Sequence, residues 1–371
     1  MIIGIPKEIK IEEHRVGLTP YNAKECINHG HRVLLQSGAG AAIGFSDELY
    51  AQQGVEVVAT AEAVFAQADM IVKVKEPQPV EYDLLREGQV LFTYLHLAPD
   101  ARQTQALIKS KAVAIAYETV TDRKGRLPLL APMSEVAGRL SVQVGAHCLE
   151  KPQGGLGKLL GGVPGVQPGK VVVIGAGVVG TNAVRMAMGQ EAQVTVLDRS
   201  IDRLAELDMQ YGGRLNTLYS SRANLDEYVS DADLVIGAVL LPGKSAPRLV
   251  TRELVAQMQP GSVLVDVAID QGGCFETSRP TTHTEPTYVE SGVVHYCVTN
   301  MPGAVPRTST VALNNVTMPF VLQLANKGWR QALQDNPYLR EGLNVCDGVV
   351  TCEAVARDQS LPYQEVSAVL A

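Results

Sequence analysis

The chain has 371 residues, of which 46% are apolar and 19% charged, so it is long enough for two domains with separate cores and is not a single small module. Thirty-two basic and 39 acidic residues give a formal net charge of −7 with no long block of one sign, which does not favour a nucleic-acid partner. The longest nearly apolar runs, residues 171–180 and 234–241, are shorter than the roughly 20 residues that cross a bilayer. With no secretory signal pattern at the N-terminus, we expect a soluble, cytoplasmic protein without a membrane partner.

The first third alternates short β-branched runs with amphipathic stretches, which is typical of a parallel sheet with crossover helices. Thr19 and Pro20 are suited to begin a helix, and Gly30 to end it. The predicted strands are residues 2–5, 32–36, 70–74 and 90–95, and the predicted helices include residues 47–53, 61–68 and 82–86.

Residues 122–132 are rich in charge, Gly and Pro, and a helix is predicted from Ser134 to about residue 150. We place a domain boundary here. Residues 151–169 are a glycine-rich loop, whose GGLGK lacks the hydroxyl residue that a phosphate loop needs after its lysine, because Leu159 follows Lys158.

The segment that follows carries the strongest local signal. Residues 170–174 form a buried-strand pattern, and GAGVVG at 175–180 opens a predicted helix. Gly175 permits the tight turn, Gly177 lets a pyrophosphate approach the backbone, and Gly180 lets helix and strand pack. A second strand, 193–197, ends at Asp198, where a carboxylate would accept hydrogen bonds from the ribose hydroxyls of an adenosine. The sequence therefore predicts a dinucleotide site, and the Asp198 carboxylate favours NAD over NADP because it would repel a 2′-phosphate.

The strand rhythm continues through residues 218–220, 234–241, 263–268 and 294–298. A long helix, 308–327, is predicted to be interrupted by Pro319 and closed by Gly328. The remaining tail of about 40 residues is too short to fold alone, so we expect it to pack on the first domain. The predicted fold is α/β, with two Rossmann-like doubly wound domains and an active-site cleft between them. The first domain is discontinuous (1–128 plus 306–371), and the second, 129–305, binds NAD.

Ligands of open α/β sheets bind beyond the carboxyl ends of the strands, so polar residues that follow predicted strands are the candidates for chemistry. Four such residues are Arg15, Lys75, His96 and Asp270. Together they would supply a cation pair for an anionic substrate, a proton shuttle and a carboxylate.

Each candidate also has a simpler interpretation. Arg15 lies in a charged run and could be a solvated loop cation, and Lys75 could belong to a surface turn. His96, in an apolar setting, could be a core histidine, and Asp270 could cap a turn before two glycines. The other histidines have no metal-ligand spacing, and the six scattered cysteines form no C-x-x-C pair, so we expect reduced thiols and no metal.

Long motifs make the chain resemble the bacterial L-alanine dehydrogenase family from end to end. They are GIPKEIKIEEHRVGLTP, KVKEP, YLHLAP, APMSEVAGRLSVQVGA, GAGVVG, VDVAIDQGGCFETSRPTTH and NMPGAVPRTST. The resemblance implies reversible, NAD-dependent oxidative deamination of L-alanine to pyruvate and ammonia by a homohexamer. By the same resemblance, Arg15 and Lys75 hold the substrate carboxylate and carbonyl oxygen, His96 donates and accepts the proton, and Asp270 assists at the reacting carbon.

The resemblance also implies a set of cofactor-binding residues that surround the glycine turn and line the rest of the groove. Besides Gly175, Gly177, Gly180 and Asp198, these are Ser134, Val178, Val179, Arg203, Ser220, Val239, Leu240, Val267, Arg279, Asn300 and Met301.

Three other functions compete with this interpretation. An NAD-linked saccharopine dehydrogenase would have the same architecture, but the DQGGCFETSRPTTH block weighs against it. The nucleotide-binding subunit of a proton-translocating transhydrogenase would need a membrane partner. A non-catalytic NAD-binding regulator is disfavoured by the four ionisable groups at strand ends.

Overall fold

The computed structural model describes residues 1–239 and 246–370. Within them, runs of β-branched residues form the strands, and the strands are short. In chain order, β1 to β15 are Ile2–Ile5, Arg32–Gln36, Glu56–Val58, Met70–Val72, Val90–Thr93, Val113–Ala116, Lys170–Ile174, Gln193–Asp198, Leu215–Tyr219, Leu234–Gly237, Val263–Asp266, Thr287–Glu290, Val293–Tyr296, Leu343–Cys346 and Val349–Val350.

Helices separate most of the strands, and several begin at a Ser, Thr, Asp or Asn whose side chain accepts a hydrogen bond from the first turn. In chain order, α1 to α14 are Pro20–Asn28, Asp47–Gln52, Ala61–Gln67, Ala101–Ser110, Ala131–Cys148, Val178–Gly189, Ile201–Tyr211, Arg222–Ser230, Arg252–Val255, Pro306–Lys327, Trp329–Asp335, Pro337–Arg340, Glu353–Asp358 and Val366–Leu370.

The chain divides into two compact units. The first comprises residues 1–133 and 305–371, and the second comprises residues 134–304. The division falls within α5.

The first unit is built on an eight-stranded sheet in the order β15-β14-β6-β5-β4-β1-β2-β3. The six strands β6, β5, β4, β1, β2 and β3 are parallel. Of these, β4, β5 and β6 are wholly buried, as expected for strands covered on both faces. The C-terminal strand β14 joins this sheet antiparallel to β6. The strand order reverses between β1 and β4, which register Ile3 against Met70, and in doubly wound sheets ligands bind at such a reversal.

The second unit repeats this plan in a seven-stranded sheet of order β12-β13-β11-β10-β7-β8-β9. All its strands are parallel except β12, which forms a hairpin with β13. Its order reverses between β7 and β10. The predicted α/β class with two doubly wound sheets is confirmed.

Several strands end earlier than the sequence predicts, and in three of them the early end has the same physical cause. β4 ends at Val72 rather than at residue 74, β5 at Thr93 rather than 95, and β11 at Asp266 rather than 268. Beyond each end, a carboxylate accepts the backbone N–H groups that a continuing strand would use: Glu8 for Val74, Glu118 for Leu95, and Asp266 itself for Ala268.

Other predicted elements also differ from the structure. Residues 79–84 form a 3₁₀ turn instead of a helix at 82–86, because Pro79 begins the turn and Glu81 accepts the N–H of Gln78. Helix α10 continues through Pro319 because buried residues on both sides, Leu313 and Val321 among them, hold it in place. The prediction missed β3, β12 and the C-terminal strands, and residues 240 and 241 of one predicted strand lie outside the described residues.

Among the helices that the structure describes, none is long and apolar enough to cross a membrane. The six cysteines are all free thiols, and five of them are buried.

Candidate functional site

In the first unit, the loops that follow β1 and β4 carry two of the predicted site residues, Arg15 and Lys75, and these loops touch. A Cβ atom added to Gly17 would lie 2.2 Å from the carbonyl oxygen of Val72, the last residue of β4. Only glycine therefore lets the Arg15 loop approach this strand end so closely. The close contact places Arg15 at the strand-order reversal, where ligands of this fold class bind.

Arg15 is 2% exposed, so the interpretation as a solvated loop cation is wrong. Its Nε and Nη2 donate to the two carboxylate oxygens of Glu13 at 2.7 and 2.6 Å, and its backbone N–H donates to the same carboxylate at 3.1 Å. Arg15 Nη1 also lies 3.1 Å from the sulfur of Met133. Burial alone would raise the pKa of Glu13, but the hydrogen bonds and charge of Arg15 outweigh it and lower the pKa to about 2.

A cavity of about 430 Å³ lies beside this pair. Its wall comprises residues of the segment 7–15, Glu13 and Arg15 among them, and small residues of the segment 38–42. Arg15 therefore combines a buried ion pair with access to a space that a small molecule could enter.

Lys75 was predicted to follow its strand directly, but β4 ends at Val72, three residues before Lys75. Its backbone N–H is 3.3 Å from Glu8 Oε1, and its ammonium forms no ion pair with any described residue. Burial lowers the pKa of Lys75, and the neighbouring charge of Arg15 lowers it further. The buried Arg15 and the half-buried Lys75, whose positive charges repel each other, are suited to bind a carboxylate.

The residue directly after β4 is instead Lys73, which is wholly buried. Its ammonium lies 2.9 Å from Glu81 Oε1 and 3.2 Å from Glu8 Oε2. Glu8 also accepts the N–H of Val74 at 2.7 Å, and burial raises the pKa of Glu8. Sequence reasoning missed this cluster, which fixes the segment that carries Lys75.

His96 follows β5, and its side chain is 49% exposed, so the interpretation as a core histidine is wrong. Its backbone is left-handed, with φ of 50°, a conformation that a non-glycine residue adopts only under constraint. The imidazole lies parallel to the buried ring of Tyr94, with ring centroids 5.8 Å apart. The turn thus presents an accessible imidazole with a fixed backbone.

In the second unit, the glycine turn after β7 has the features that a pyrophosphate requires. Gly175 has φ of 102°, and a Cβ on Gly180 would lie 1.7 Å from the carbonyl oxygen of Gly175, so both positions exclude larger residues. A Cβ on Gly177 would meet nothing within 4 Å, so the space above this turn is open. No side chain caps α6 at Gly177, which leaves its first N–H groups directed at that space.

Asp198 lies at the end of β8 beside the glycine turn, and Arg203 packs against the same turn. The Asp198 carboxylate accepts the N–H of Ala176 at 2.6 Å and that of Ser200 at 2.7 Å. Arg203 donates from Nε to the carbonyl of Ala176 at 2.9 Å and from Nη2 to Thr181 at 2.8 Å. The two side chains thus hold the turn in place, and the Asp198 carboxylate is half-buried beside it.

The remaining predicted cofactor residues of the second unit follow its strands or lie on its loops. The backbone N–H of Ser220 donates to the Asp198 carbonyl at 2.9 Å, and Val239 and Val267 follow β10 and β11. Arg279 lies over the ring of Tyr288, 4.0 Å from its centroid. In α6, Val178 is exposed and Val179 is buried, and in α5 Ser134 is half-buried. Asn300, with φ of 60°, precedes the buried Met301. Leu240 lies outside the described residues.

Asp270 is exposed and lies in a 3₁₀ turn, Ile269–Gln271, that leads to two glycines. The wholly buried Asp266 holds this loop, because one of its oxygens accepts N–H groups of Cys274 and Phe275 and the hydroxyl of Ser278, at 2.8, 3.4 and 2.5 Å. Burial raises the pKa of Asp266, although these hydrogen bonds oppose the shift. Within residues 1–239 and 246–370, no cluster of His, Cys, Asp and Glu could hold a metal ion.

Comparison with known proteins identifies the family. Residues 4–137 match the family model "Alanine dehydrogenase/PNT, N-terminal domain", and residues 141–353 match the family model "Alanine dehydrogenase/PNT, C-terminal domain". The chain belongs to the alanine dehydrogenase/PNT family.

Members of the alanine dehydrogenase/PNT family resemble this chain over its whole length. This chain is 57% identical over 370 residues to the alanine dehydrogenase of Halomonas elongata, with 100% of both chains covered. It is also 57% identical to the alanine dehydrogenase of Bacillus subtilis, covering 98% of this chain and 96% of the relative. A solved structure named L-alanine dehydrogenase has a TM-score of 0.94 and 52% identity, with 100% of both chains covered.

Proposed function

We propose that the protein catalyses the reversible, NAD-dependent oxidative deamination of L-alanine to pyruvate and ammonia. The observation that carries this proposal is the full-length similarity to alanine dehydrogenases at 57% identity. The geometry supports it independently. Arg15, which is buried, and Lys75, which is half-buried, are suited to bind a carboxylate and lie at the strand-order reversal of the first sheet. A glycine turn suited to a pyrophosphate lies at the reversal of the second sheet.

Arg15 and Lys75 would bind the substrate. Arg15, oriented by Glu13, would hold the substrate carboxylate, and Lys75 would hold the carbonyl oxygen of pyruvate. In the direction of amination, the Lys75 ammonium would also stabilise the negative charge that develops on this oxygen.

His96 and Asp270 would transfer the protons of the reaction. Removal of hydride from the α-carbon gives an imino acid, water adds to it, and ammonia leaves as pyruvate forms. His96 would take the proton from the added water and return it in the reverse direction, and Asp270 would assist proton transfer at the same carbon. Both side chains are exposed in the structure, so a substrate has access to them.

NAD would supply the acceptor for the hydride. The open space at Gly177, the uncapped start of α6 and the Asp198 carboxylate fit its pyrophosphate and ribose. Val178 and Val179 would contribute backbone N–H groups, and the other residues named above would line the rest of the groove. Asp198 would disfavour NADP, since its charge repels a 2′-phosphate.

A homohexamer and a cytoplasmic location, which the sequence led us to expect, remain parts of the proposal. Light scattering of the purified protein measures the first, and fractionation of cells measures the second.

The decisive experiment is to follow NADH absorbance after mixing the protein with NAD and L-alanine. Parallel samples with NADP, L-serine or saccharopine test the cofactor and the substrate, and His96→Ala and Asp270→Asn test the proposed roles. Turnover with L-alanine and NAD that collapses in both variants supports the proposal. NAD binding without turnover of any amino acid would instead favour a non-catalytic regulator, and turnover of saccharopine would favour a saccharopine dehydrogenase.

A further inference from the structure

The backbone that follows Arg15 is buried, although it forms neither a strand nor a helix. Residues 16–19 connect Arg15 to the start of α1, and both Val16 and Leu18 are almost wholly inaccessible. Buried backbone outside regular structure has no ladder partners, so side chains must bind its N–H and carbonyl groups. These side chains determine where the backbone of Arg15 lies, because the two segments are covalently joined.

Two side chains of α10 bind this segment from a distant part of the chain. The Thr310 hydroxyl accepts the backbone N–H of Val16 at 3.3 Å. The Asn314 amide donates from Nδ2 to the carbonyl of Val16 at 3.4 Å and accepts the backbone N–H of Thr19 at 2.7 Å. Both backbone polar groups of Val16, the residue directly after Arg15, are therefore bound to α10.

The face of α10 that meets this segment is polar, whereas a buried helix face is usually apolar. Thr310, Asn314 and Thr317 are spaced four and three residues apart, so they lie on one face of the helix. All three are at most 1% exposed. Thr317 differs from the other two, because its hydroxyl donates within the helix, to the carbonyl of Asn314 at 3.5 Å. Packing alone does not call for Thr310 and Asn314, but their bonds to residues 16–19 do.

Asn314 also fixes the separation between the two ends of the segment. An amide side chain can donate and accept at the same time, and Asn314 uses both capacities, on Val16 and on Thr19. The middle of the segment has another support, since the Tyr50 hydroxyl donates to the carbonyl of Leu18 at 2.7 Å. The end next to Arg15 is thus bound by α10.

We propose that Thr310 and Asn314 are positioning residues for Arg15: they hold the adjoining backbone where the Arg15 guanidinium can meet the substrate carboxylate. This inference rests on the proposed function, since Arg15 is the proposed ligand of that carboxylate. Thr310 and Asn314 act through Arg15 and need not touch the substrate. Their loss should therefore weaken substrate binding and leave cofactor binding as it is.

Thr310→Val tests this role with the smallest change of shape, because a methyl group replaces the hydroxyl that accepts the Val16 N–H. We expect KM for L-alanine and for pyruvate to rise by about fivefold to tenfold, since a small displacement of a binding group weakens its contact. The KM for NAD should not change. Thr310→Ser keeps a hydroxyl and should have the wild-type KM for L-alanine.

Asn314→Leu removes both bonds of the amide with little change in size. It should raise KM for L-alanine by at least about tenfold, again without a change in KM for NAD. If this variant does not fold, Thr310→Val decides the question alone.

Thr317→Val is the matched control. It makes the same substitution on the same buried face, but removes a hydroxyl that bonds within α10. We expect the wild-type KM for L-alanine from it. A role of Thr310 in stability alone would reduce the fraction of active protein, which lowers the apparent kcat and leaves KM as in the wild type. Urea denaturation of each variant measures stability separately.

Hydrogen exchange of the backbone amides of residues 16–19, measured by mass spectrometry, gives a readout that does not depend on activity. Exchange should be faster in Thr310→Val than in the wild type, because the Val16 N–H loses its acceptor. Thr317→Val should exchange like the wild type.

A wild-type KM for L-alanine in Thr310→Val or in a folded Asn314→Leu overturns the proposal. An equal rise in Thr317→Val, or an equal rise in the KM for NAD, overturns it as well. Absence of L-alanine turnover by the wild-type protein is a different result, because it overturns the proposed function itself.

Discussion

Glu118 Oε1 accepts the backbone N–H of His96 at 2.6 Å, and both carboxylate oxygens lie within 3.2 Å of the N–H of Leu95. One carboxylate thus holds the proposed catalytic histidine in its left-handed conformation. The same oxygen lies 3.9 Å from His96 Nδ1, which places negative charge beside the imidazole. Glu118 is a positioning residue for His96.

Glu118→Gln should lower kcat by about tenfold to a hundredfold, because it replaces one carboxylate oxygen with an NH2 group that cannot accept the N–H of Leu95, and the turn that carries the imidazole moves. The KM for NAD should not change. The same substitution made in the His96→Ala background should have no further effect on the residual rate, since Glu118 acts through His96.

The control for this experiment is Glu150→Gln, which removes a similar but exposed carboxylate 3.3 Å from His147. We expect normal activity from it. Equal losses from Glu118→Gln in the presence and absence of His96 would show that Glu118 serves the stability of the fold instead.

Gly17→Ala tests the contact between the Arg15 loop and β4. Its methyl group would clash with the Val72 carbonyl, which is backbone and cannot move aside cheaply. We expect a loss of about 1–3 kcal/mol in the free energy of unfolding and a raised KM for L-alanine, because the Arg15 loop is displaced. Urea denaturation at fixed protein concentration and steady-state kinetics measure the two effects.

Gly189→Ala provides the comparison, because an added Cβ there meets nothing within 4 Å at the end of α6. This variant should be as stable as the wild type. A Gly17→Ala protein with normal KM and normal stability would mean that the two loops separate in solution.

Features that depend on neighbouring residues were predictable from the sequence. The alternation of strands and helices, the glycine turn at 175–180 and Asp198 all follow from patterns within a few tens of residues. Their physical causes, burial of β-branched runs and the steric needs of tight turns, act locally.

The buried carboxylates were not predictable in the same way. Glu8 and Glu118 look like ordinary surface charges in the sequence, and their partners lie 66 and 22 residues away. Only the folded sheet brings them to the strand ends, where they stop β4 and β5 early. Glu13 is an intermediate case, since its partner is two residues away but its burial is not visible in the charged run around it.

Asp198→Asn should relax the expected preference for NAD. The substitution removes the charge that would repel a 2′-phosphate and keeps one oxygen to accept an N–H of the turn. We expect the ratio of kcat/KM for NADP to that for NAD to rise by about tenfold or more. Asp202→Asn, an exposed carboxylate in the first turn of α7, should leave the ratio unchanged.

The Glu13–Arg15 pair should also make stability depend on acid. Because the folded protein lowers the pKa of Glu13 from 4.5 to about 2, the pair contributes fully above the unfolded value and loses its contribution as the pH falls towards the folded value. Compared with Glu13→Gln, the wild-type protein should therefore lose about 2 kcal/mol of its advantage in unfolding free energy between about pH 7 and about pH 3. Denaturant titrations of both proteins at the two pH values measure this difference. An advantage that stays constant would mean that Arg15 does not hold Glu13 as a carboxylate in the folded protein.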